Sequence, residues 1–351
     1  MFSPTSCEKN SEQLVRQCLQ NQYLNQPSRS LKCPHSELST SIKLLQKTII
    51  ISKKTGRLGN RLQLYAHLLA FALEKDLRLL NPAFAEYSLF FQGTADQRWG
   101  EFPGEKDAAS PSVASREWIY WLNRSAYKLA KPLAISKNAG IRVAKAQSSK
   151  FIQTDSLWND FFKESWSILF TQGLHFYSPG EWFLRHGDTI RSFLAPLNCY
   201  QEKAIQFVTQ IKLQTDVLVG VHLRQTDYQE FVGGRFFYSL NQYLMKMLEI
   251  RRLHHPRSCT FLICSDVSWQ EGLKQDLKCF SGPRTVIGDL IALSKCDLIL
   301  GPPSTFSGWA AWYGKVPIHF LENLIVPLAL DSFQILPYPH GAFREEYASL
   351  G

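Results

Sequence analysis

The sequence contains no continuous apolar run approaching the roughly 18–20 residues that a bilayer span requires, so no membrane-spanning helix is expected. Met1–Asn25 likewise lacks the apolar stretch that opens a secretory signal, and a cytoplasmic location is the expectation. Eight cysteines are present, but none pair as C-x-x-C and their spacing does not repeat. Reduced thiols are therefore expected rather than a disulfide or zinc framework, and Cys33-Pro34-His35 in a polar tail is a poor metal corner. There is no D-x-D pair of the kind that holds a divalent ion beside a diphosphate. The absence of H-E-x-x-H and of G-x-S-x-G removes support for a metalloprotease or a serine hydrolase.

What the chain does have is size, apolar content and an uneven charge. Its 351 residues exceed what one hydrophobic core usually serves, so two domains are expected. Residues 1–150 carry 22 Lys and Arg against 11 Asp and Glu, a balance of +11 that exceeds the +9 of the whole chain. Partners that suit such an excess are an anionic lipid surface, nucleic acid or plain solvent. From Arg116 to Lys150 there are eight basic residues and one acidic one. Ile119, Leu122, Ala126 and Leu129 recur there at helical spacing, with Arg124, Lys128 and Lys131 on a second stripe. Two readings stand: an amphipathic helix packed on its own domain with a solvated basic face, or peripheral contact of residues 116–150 with an anionic membrane. No motif supports nucleic-acid binding.

Residues 1–47, rich in Ser, Gln and Asn, read as a loosely held extension in which Gln13–Gln22 suits a short helix. Order begins at Thr48–Ser52, a β-branched run suited to a buried strand. The turn Gly56-Arg57-Leu58-Gly59-Asn60 follows, then apolar residues at helical spacing from Leu62 to Leu73 and a strand at Leu77–Leu80. Strand, glycine turn, helix and strand make a βαβ unit and imply a parallel sheet. The alternation returns as strands at Asp216–Leu223, Thr260–Ser265, Asp297–Leu300 and Pro317–Leu321, with Thr285-Val286-Ile287 short and extended. The helices between them are expected at Ser239–Ile250, Trp269–Leu277, Asp289–Lys295 and Ser304–Tyr313. The fold class expected is α/β, with two doubly wound, Rossmann-like domains at 48–213 and 214–351 and a cleft between them.

Ligands in such sheets lie beyond the carboxyl ends of the strands. At the end of Asp216–Leu223, His222, Arg224 and Asp227 fall within six residues, and positions 222 and 224 share a face in extended chain. An arginine fork there suits a diphosphate, although an Arg–Asp pair tying down the loop explains the spacing equally well. After Asp297–Leu300, Gly301-Pro302-Pro303 turns into Ser304 and Thr305, natural helix caps. The free N–H groups of that helix end suit a phosphate. Arg57 and Asn60 would then face the donor from the other wall of the cleft.

Together these segments resemble the alpha-1,2-fucosyltransferase family and its wider superfamily. The block G-R-x-G-N-Q is similar to Gly56–Arg61, with Tyr65-Ala66 downstream; H-x-R-R-x-D resembles His222–Asp227; F-S-D resembles Cys264-Ser265-Asp266. The last block, D-x-x-x-(M/L)-S-x-C-D followed by S-T-F-S-W-W-A-A, is similar to Asp289–Asp297 and Ser304–Ala311. The resemblance covers roughly residues 49–320 and implies a GT-B fold and a glycosyltransferase. It further implies GDP-fucose as donor, inversion at the anomeric carbon, a glycan hydroxyl as acceptor, and neither cofactor nor metal. A related transferase using another nucleotide sugar, or a catalytically silent binding member, are the alternatives.

By matching position, Arg224 would hold the β-phosphate, and His222 and Asp289 would contact the nucleotide, Asp289 by accepting from the guanine amino group. Ser304 and Thr305 would donate to the pyrophosphate, Asn60 would lie near the reacting sugar, and Gly56, Arg57 and Asp266 would complete the donor site. Asp227 and Glu230 are the nearby carboxylates that suit a general base, although Asp227 suits better an orienting role toward Arg224 or its loop, and Glu230 suits equally a solvated loop position. Three positions depart from the family pattern: Gln225 for Arg, Arg61 for Gln, and Gly308 for Trp. Arg61 is expected to restore positive charge across the cleft, and Gly308 to open space beside the sugar or acceptor.

Overall fold

The computed structural model describes residues 47–133, 140–146, 151–159, 167–269 and 277–341. The expected N-terminal extension and nearly all of the expected helix at Trp269–Leu277 lie outside these residues. The first half contains strands β1 (Thr48–Ile51), β2 (Arg78–Leu80), β3 (Glu101–Phe102), β4 (Ile141–Lys145), β5 (Ile152–Gln153), β6 (Ile168–Gln172) and β7 (Phe176–Tyr177). Its helices are α1 (Leu58–Lys75), α2 (Val113–Leu133), α3 (Gly180–Phe193) and α4 (Asn198–Lys212). The second half has strands β8 (Val217–Leu223), β9 (Cys259–Ser265), β10 (Cys279–Ser281), β11 (Leu298–Gly301) and β12 (Ile318–Phe320). Helices α5 (Leu240–His254), α6 (Val286–Leu293) and α7 (Thr305–Gly314) connect them.

The first sheet runs β3-β2-β1-β6-β4, parallel except for β3, and the second runs β10-β9-β8-β11-β12, parallel throughout. From β1 the next sheet neighbours lie on opposite sides, β2 on one and β6 on the other; from β8 they are β9 and β11. A crevice opens where the winding reverses, at the carboxyl ends of such strands. These ends carry Gly56–Asn60 after β1 and Arg224–Asp227 after β8, so the topology alone places both sequence blocks at crevices. Fully buried β8, without a polar exposed face, is the pattern of a strand covered on both sides.

Between the sheets lies α1, buried from Leu58 to Ala72 on nearly every face. It packs against α7 and α3, and one apolar cluster joins Ile49 and Leu169 of the first sheet to Leu218 and Ile299 of the second. Helix α4 packs against α6 on the second sheet.

Three local expectations change. Thr285-Val286-Ile287 is the start of α6 rather than a strand, because the Thr285 hydroxyl caps the helix by accepting from Gly288 N–H at 3.1 Å. The strand is Cys279–Ser281 instead, paired in parallel with β9. In α2 the stripe Ile119, Leu122, Ala126 and Leu129 does not face the core as a unit. The buried face is Arg116, Ile119, Tyr120, Asn123, Tyr127 and Ala130, whereas Leu122 and Leu129 are exposed. Tyr127 and Ala130 pack on Phe170, Ile50 and Val143, and the Arg116 guanidinium donates to the Gln97 and Ala95 carbonyls, so a basic residue caps the buried stripe.

The backbones of α1 and α7 approach closely at Gly59 of α1. A Cβ there would lie 2.6 Å from the Phe306 amide nitrogen and 2.8 Å from its Cα, atoms of backbone that cannot swing aside. Gly59→Ala gains about 1 kcal/mol of helix propensity but incurs an overpacking cost of about 1–3 kcal/mol. We expect the variant to be destabilised on balance, with Tm lowered by a few degrees in thermal denaturation; an unchanged or raised Tm contradicts this packing.

Candidate functional site

A cavity of about 620 Å³ opens between the two switch points, within the usual range for small-molecule sites. One wall comes from the first half: Gly56, Arg57 and Asn60 of the turn, then Gln63, Tyr87, His175 and Tyr177. The other wall is built from His222, Arg224, Asp227, Asp266, Asp289 and the Pro303–Phe306 turn.

The first wall is shaped by glycine. Gly56 has φ +67°, a left-handed conformation that a side chain disfavours, and the Asn60 side chain fills the space its Cβ would take. Asn60 thereby reaches across the cavity, where its Oδ1 accepts from the Thr305 hydroxyl at 2.6 Å. That bond spends the Thr305 hydroxyl proton, so a phosphate at this end would be met by backbone N–H groups rather than by that hydroxyl. Ser304 caps α7, its Oγ accepting from Phe306 N–H at 3.3 Å.

Arg224 leaves the end of β8 and meets two carboxylates. Its Nε and Nη2 donate to Asp227 at 2.8 and 2.9 Å, and Asp266, from the neighbouring strand end, lies 3.4 Å from Nε. The Arg–Asp pairing that the spacing allowed is therefore present, and it occurs within the cavity. Nη1 makes no hydrogen bond among the described residues. Asp227, held below its ordinary carboxylate range chiefly by its bond to Arg224, is a weak base in this arrangement. Glu230 is exposed and is not among the cavity-lining residues, so the second base candidate is not brought to the site. Tyr228 ties this loop to the opposite turn, its hydroxyl donating to the Pro303 carbonyl at 2.7 Å.

His222 is buried to 4% exposure, and burial with Arg224 nearby lowers its pKa to about 3, so the imidazole is neutral at ordinary pH. Its Nδ1 is shut off from solvent and has no hydrogen-bond partner among the described residues, an uncompensated cost at a buried position. Asp289 opens α6, where its Oδ1 accepts from Arg284 N–H at 3.0 Å. Arg284 adopts φ +59°, the strained left-handed region, to present that N–H. Burial raises the Asp289 pKa to about 6.

The three departures from the sequence pattern all turn away from the cavity lining. Arg61 bonds Glu86 at 3.0 Å and the Gly56 and Ala83 carbonyls, so its charge is neutralised outside the cleft. Gln225 donates through Nε2 to the Tyr238 carbonyl at 2.7 Å, anchoring the loop after β8. Gly308 does not open space: a Cβ there would run into the His340 carbonyl, because the C-terminal segment occupies the volume a larger side chain would fill.

Sequence reasoning did not find Gln63, Tyr87, Leu174, His175, Tyr177, Tyr228 or Phe231. Tyr228 directly follows Asp227 and was within reach of the motif. His175 and Tyr177 fall after the apolar run Ile168-Leu169-Phe170, whose strand character was the available signal.

The family model described as glycosyl transferase family 11 matches residues 114–316. No curated protein sequence matches the chain significantly. Among solved structures, a mutant of FUT1 from Arabidopsis thaliana in complex with GDP is similar at TM-score 0.51 and 14% identity, covering 95% of this chain and 82% of that one. The fucosyltransferase NodZ from Bradyrhizobium is similar at TM-score 0.50 and 16% identity, covering 81% of this chain and 97% of that one. The α/β, GT-B-type architecture expected from the sequence is thus the one observed.

The raised pKa of Asp289 has a measurable consequence. Its folded pKa of about 6 exceeds the unfolded carboxylate value of about 4. The stability linked to this group is therefore fully present below about pH 4 and is lost as pH rises through about 6. Asp289→Asn should remove that dependence. The stability difference, wild type minus variant, should fall between about pH 4 and pH 7 in denaturation without nucleotide; a flat difference contradicts the assignment.

Proposed function

The chain belongs to glycosyl transferase family 11, and on that premise we propose that it transfers fucose from GDP-fucose to a hydroxyl of a glycan. The observation that carries the reading is Arg224 facing the amino end of α7 across one cavity, two anion-seeking elements about a single volume. The donor diphosphate would take the remaining Nη1 of Arg224 and the Ser304 and Thr305 amides at the start of α7, with the helix dipole adding to both. His222, on the cavity wall, would contact the nucleotide. Asp289 would face the guanine amino group, which favours the ionised carboxylate that burial disfavours in the free protein. The first half, 48–213, would take the acceptor beside Tyr87, His175 and Tyr177, and the second, 214–351, the donor.

Transfer would proceed with inversion in one displacement. The acceptor oxygen forms a bond to the anomeric carbon as the bond to the β-phosphate oxygen breaks; the electron pair leaves with GDP, and the acceptor's hydroxyl proton passes to water. Charge then accumulates on the β-phosphate, where Arg224 and the α7 amides are already aimed, so stabilisation grows toward the transition state. This arrangement supplies the leaving group with positive charge from the protein itself, and we propose that no divalent ion is required. Asp227 orients Arg224 rather than taking a proton. The acceptor would be an oligosaccharide or a lipid-linked glycan.

Charged hydrogen bonds contribute about 1.5–3 kcal/mol each, so Arg224→Ala should weaken GDP binding by about a hundredfold or more in calorimetry, with circular dichroism unchanged. Equal affinity in the folded variant overturns the assignment. Turnover of GDP-fucose should persist in EDTA, and a large loss there would contradict the metal-free reading.

A further inference from the structure

Helix α2 presents an apolar face to solvent. Trp118, Trp121, Leu122 and Leu129 are 66%, 63%, 44% and 74% exposed. At about 100° per residue these four lie within one sector of the helix, opposite the buried Arg116, Asn123 and Tyr127. Single exposed apolar residues are ordinary, but two tryptophans and two leucines on one helix face form a patch. Exposed Lys128 and Lys131 flank it. Glu117, the acidic residue in this segment, is neutralised by Lys54. The local field is therefore positive, and residues 116–150 hold eight basic residues against that one acid. Two of these eight, exposed Lys145 and half-buried Arg142, lie on edge strand β4, beside α2. Among the described residues no helix is long and apolar enough to cross a membrane.

We propose that this face of α2 docks on an anionic phospholipid surface, lying in the headgroup plane with Trp118, Trp121, Leu122 and Leu129 inserted and the lysines beside lipid phosphates. The residue types decide the occupant. Tryptophan has an apolar ring and a polar N–H and is favoured at the membrane–water boundary; lysines flanking such a stripe are the pattern of an interfacial helix. A protein partner of opposite charge would need neither the tryptophan pair nor the open leucines.

The docked helix is tied to the cavity loop. Arg124 donates to the Ser52 carbonyl at 3.3 Å, the Tyr120 hydroxyl accepts from Lys54 N–H at 3.5 Å, and Lys54 pairs with Glu117. Lys54 lies three residues before Arg57 of the cavity wall. A surface holding α2 thus holds the first wall of the cavity near lipid, where glycans carried on lipid are concentrated. The proposal stands independently of the donor reading, since it is measured by lipid binding alone.

The test is co-sedimentation of the full chain with vesicles of phosphatidylcholine alone and of phosphatidylcholine with phosphatidylglycerol. Binding should appear with the anionic vesicles and fall as salt rises. Trp118→Ala with Trp121→Ala should reduce partitioning about tenfold or more at all salt concentrations. Lys128→Glu with Lys131→Glu should reduce it by a similar factor at low salt, and GDP affinity should be unchanged in both. All four side chains are exposed, so both variants should fold. Failure of the wild type to bind anionic vesicles, binding equal on neutral ones, or undiminished binding by the tryptophan variant overturns the proposal. So does light scattering showing that the tryptophan face instead joins two copies of the chain.

Discussion

The contact on which the site depends is the approach of α1 to the amino end of α7. Gly59 lets the backbone of α1 come within van der Waals reach of Phe306, and the Asn60–Thr305 hydrogen bond is made possible by that approach. Both helices are the first elements after a strand end, so fixing one against the other fixes the two crevices at a set separation. A site for an extended diphosphate needs this: the groups that neutralise charge must hold their spacing before the ligand arrives, because reorganisation during the reaction would subtract from the stabilisation they provide.

Charge is arranged with the same economy. Arg224 carries its positive charge between Asp227 and Asp266, which raises its pKa and holds the guanidinium in one orientation. Two carboxylates beside one arginine would repel an anion if their charge were unopposed. They are engaged with Arg224, Thr226 and the Gln225 amide instead, so their oxygens are directed into the loop. Burial raises the Asp289 pKa to about 6, so this carboxylate keeps its charge at neutral pH and loses it only in mild acid. His222, beside Arg224, stays neutral.

The second half was legible in the sequence because its strands are mostly apolar and separated by capped helices; β8 and β9 declare themselves as continuous, largely buried runs. The exception, Thr285–Ile287, misled because β-branched residues suit strands, while the Thr285 cap that decides the matter depends on a hydroxyl reaching back to Gly288. The first half was less legible. Its β4, Ile141–Lys145, is three-fifths polar or small and is recognisable only by its pairing with β6. The α2 face was misread for a related reason: a helix stripe can be drawn through Leu122 and Leu129 as easily as through Tyr120 and Tyr127, and periodicity alone does not say which stripe meets the sheet. Site residues at the ends of β1, β8 and β11 were read from their position, whereas His175 and Tyr177 follow β6, whose apolar run was not read as a strand leading to the site.

The departures from the family pattern gain a common physical meaning from their surroundings. Arg61, Gln225 and Gly308 all bind or abut backbone and are not themselves among the cavity-lining residues, so each alters how a wall is held rather than what the wall presents. The Gly308 site is the most consequential of the three. With no side chain at 308, the C-terminal segment lies against α7, and Gly341 comes so close that a Cβ there would fall 2.5 Å from the Thr305 amide nitrogen. That amide belongs to the turn facing Arg224. The Pro339 carbonyl is in turn bonded to buried His67 of α1 at 3.2 Å, so the same strap of chain braces both helices of the central contact. The volume that a side chain at 308 would take is filled here by a segment distant in sequence, and a bulky residue there would collide with the His340 carbonyl. The turn at the start of α7 is therefore braced by the backbone of residues 339–341.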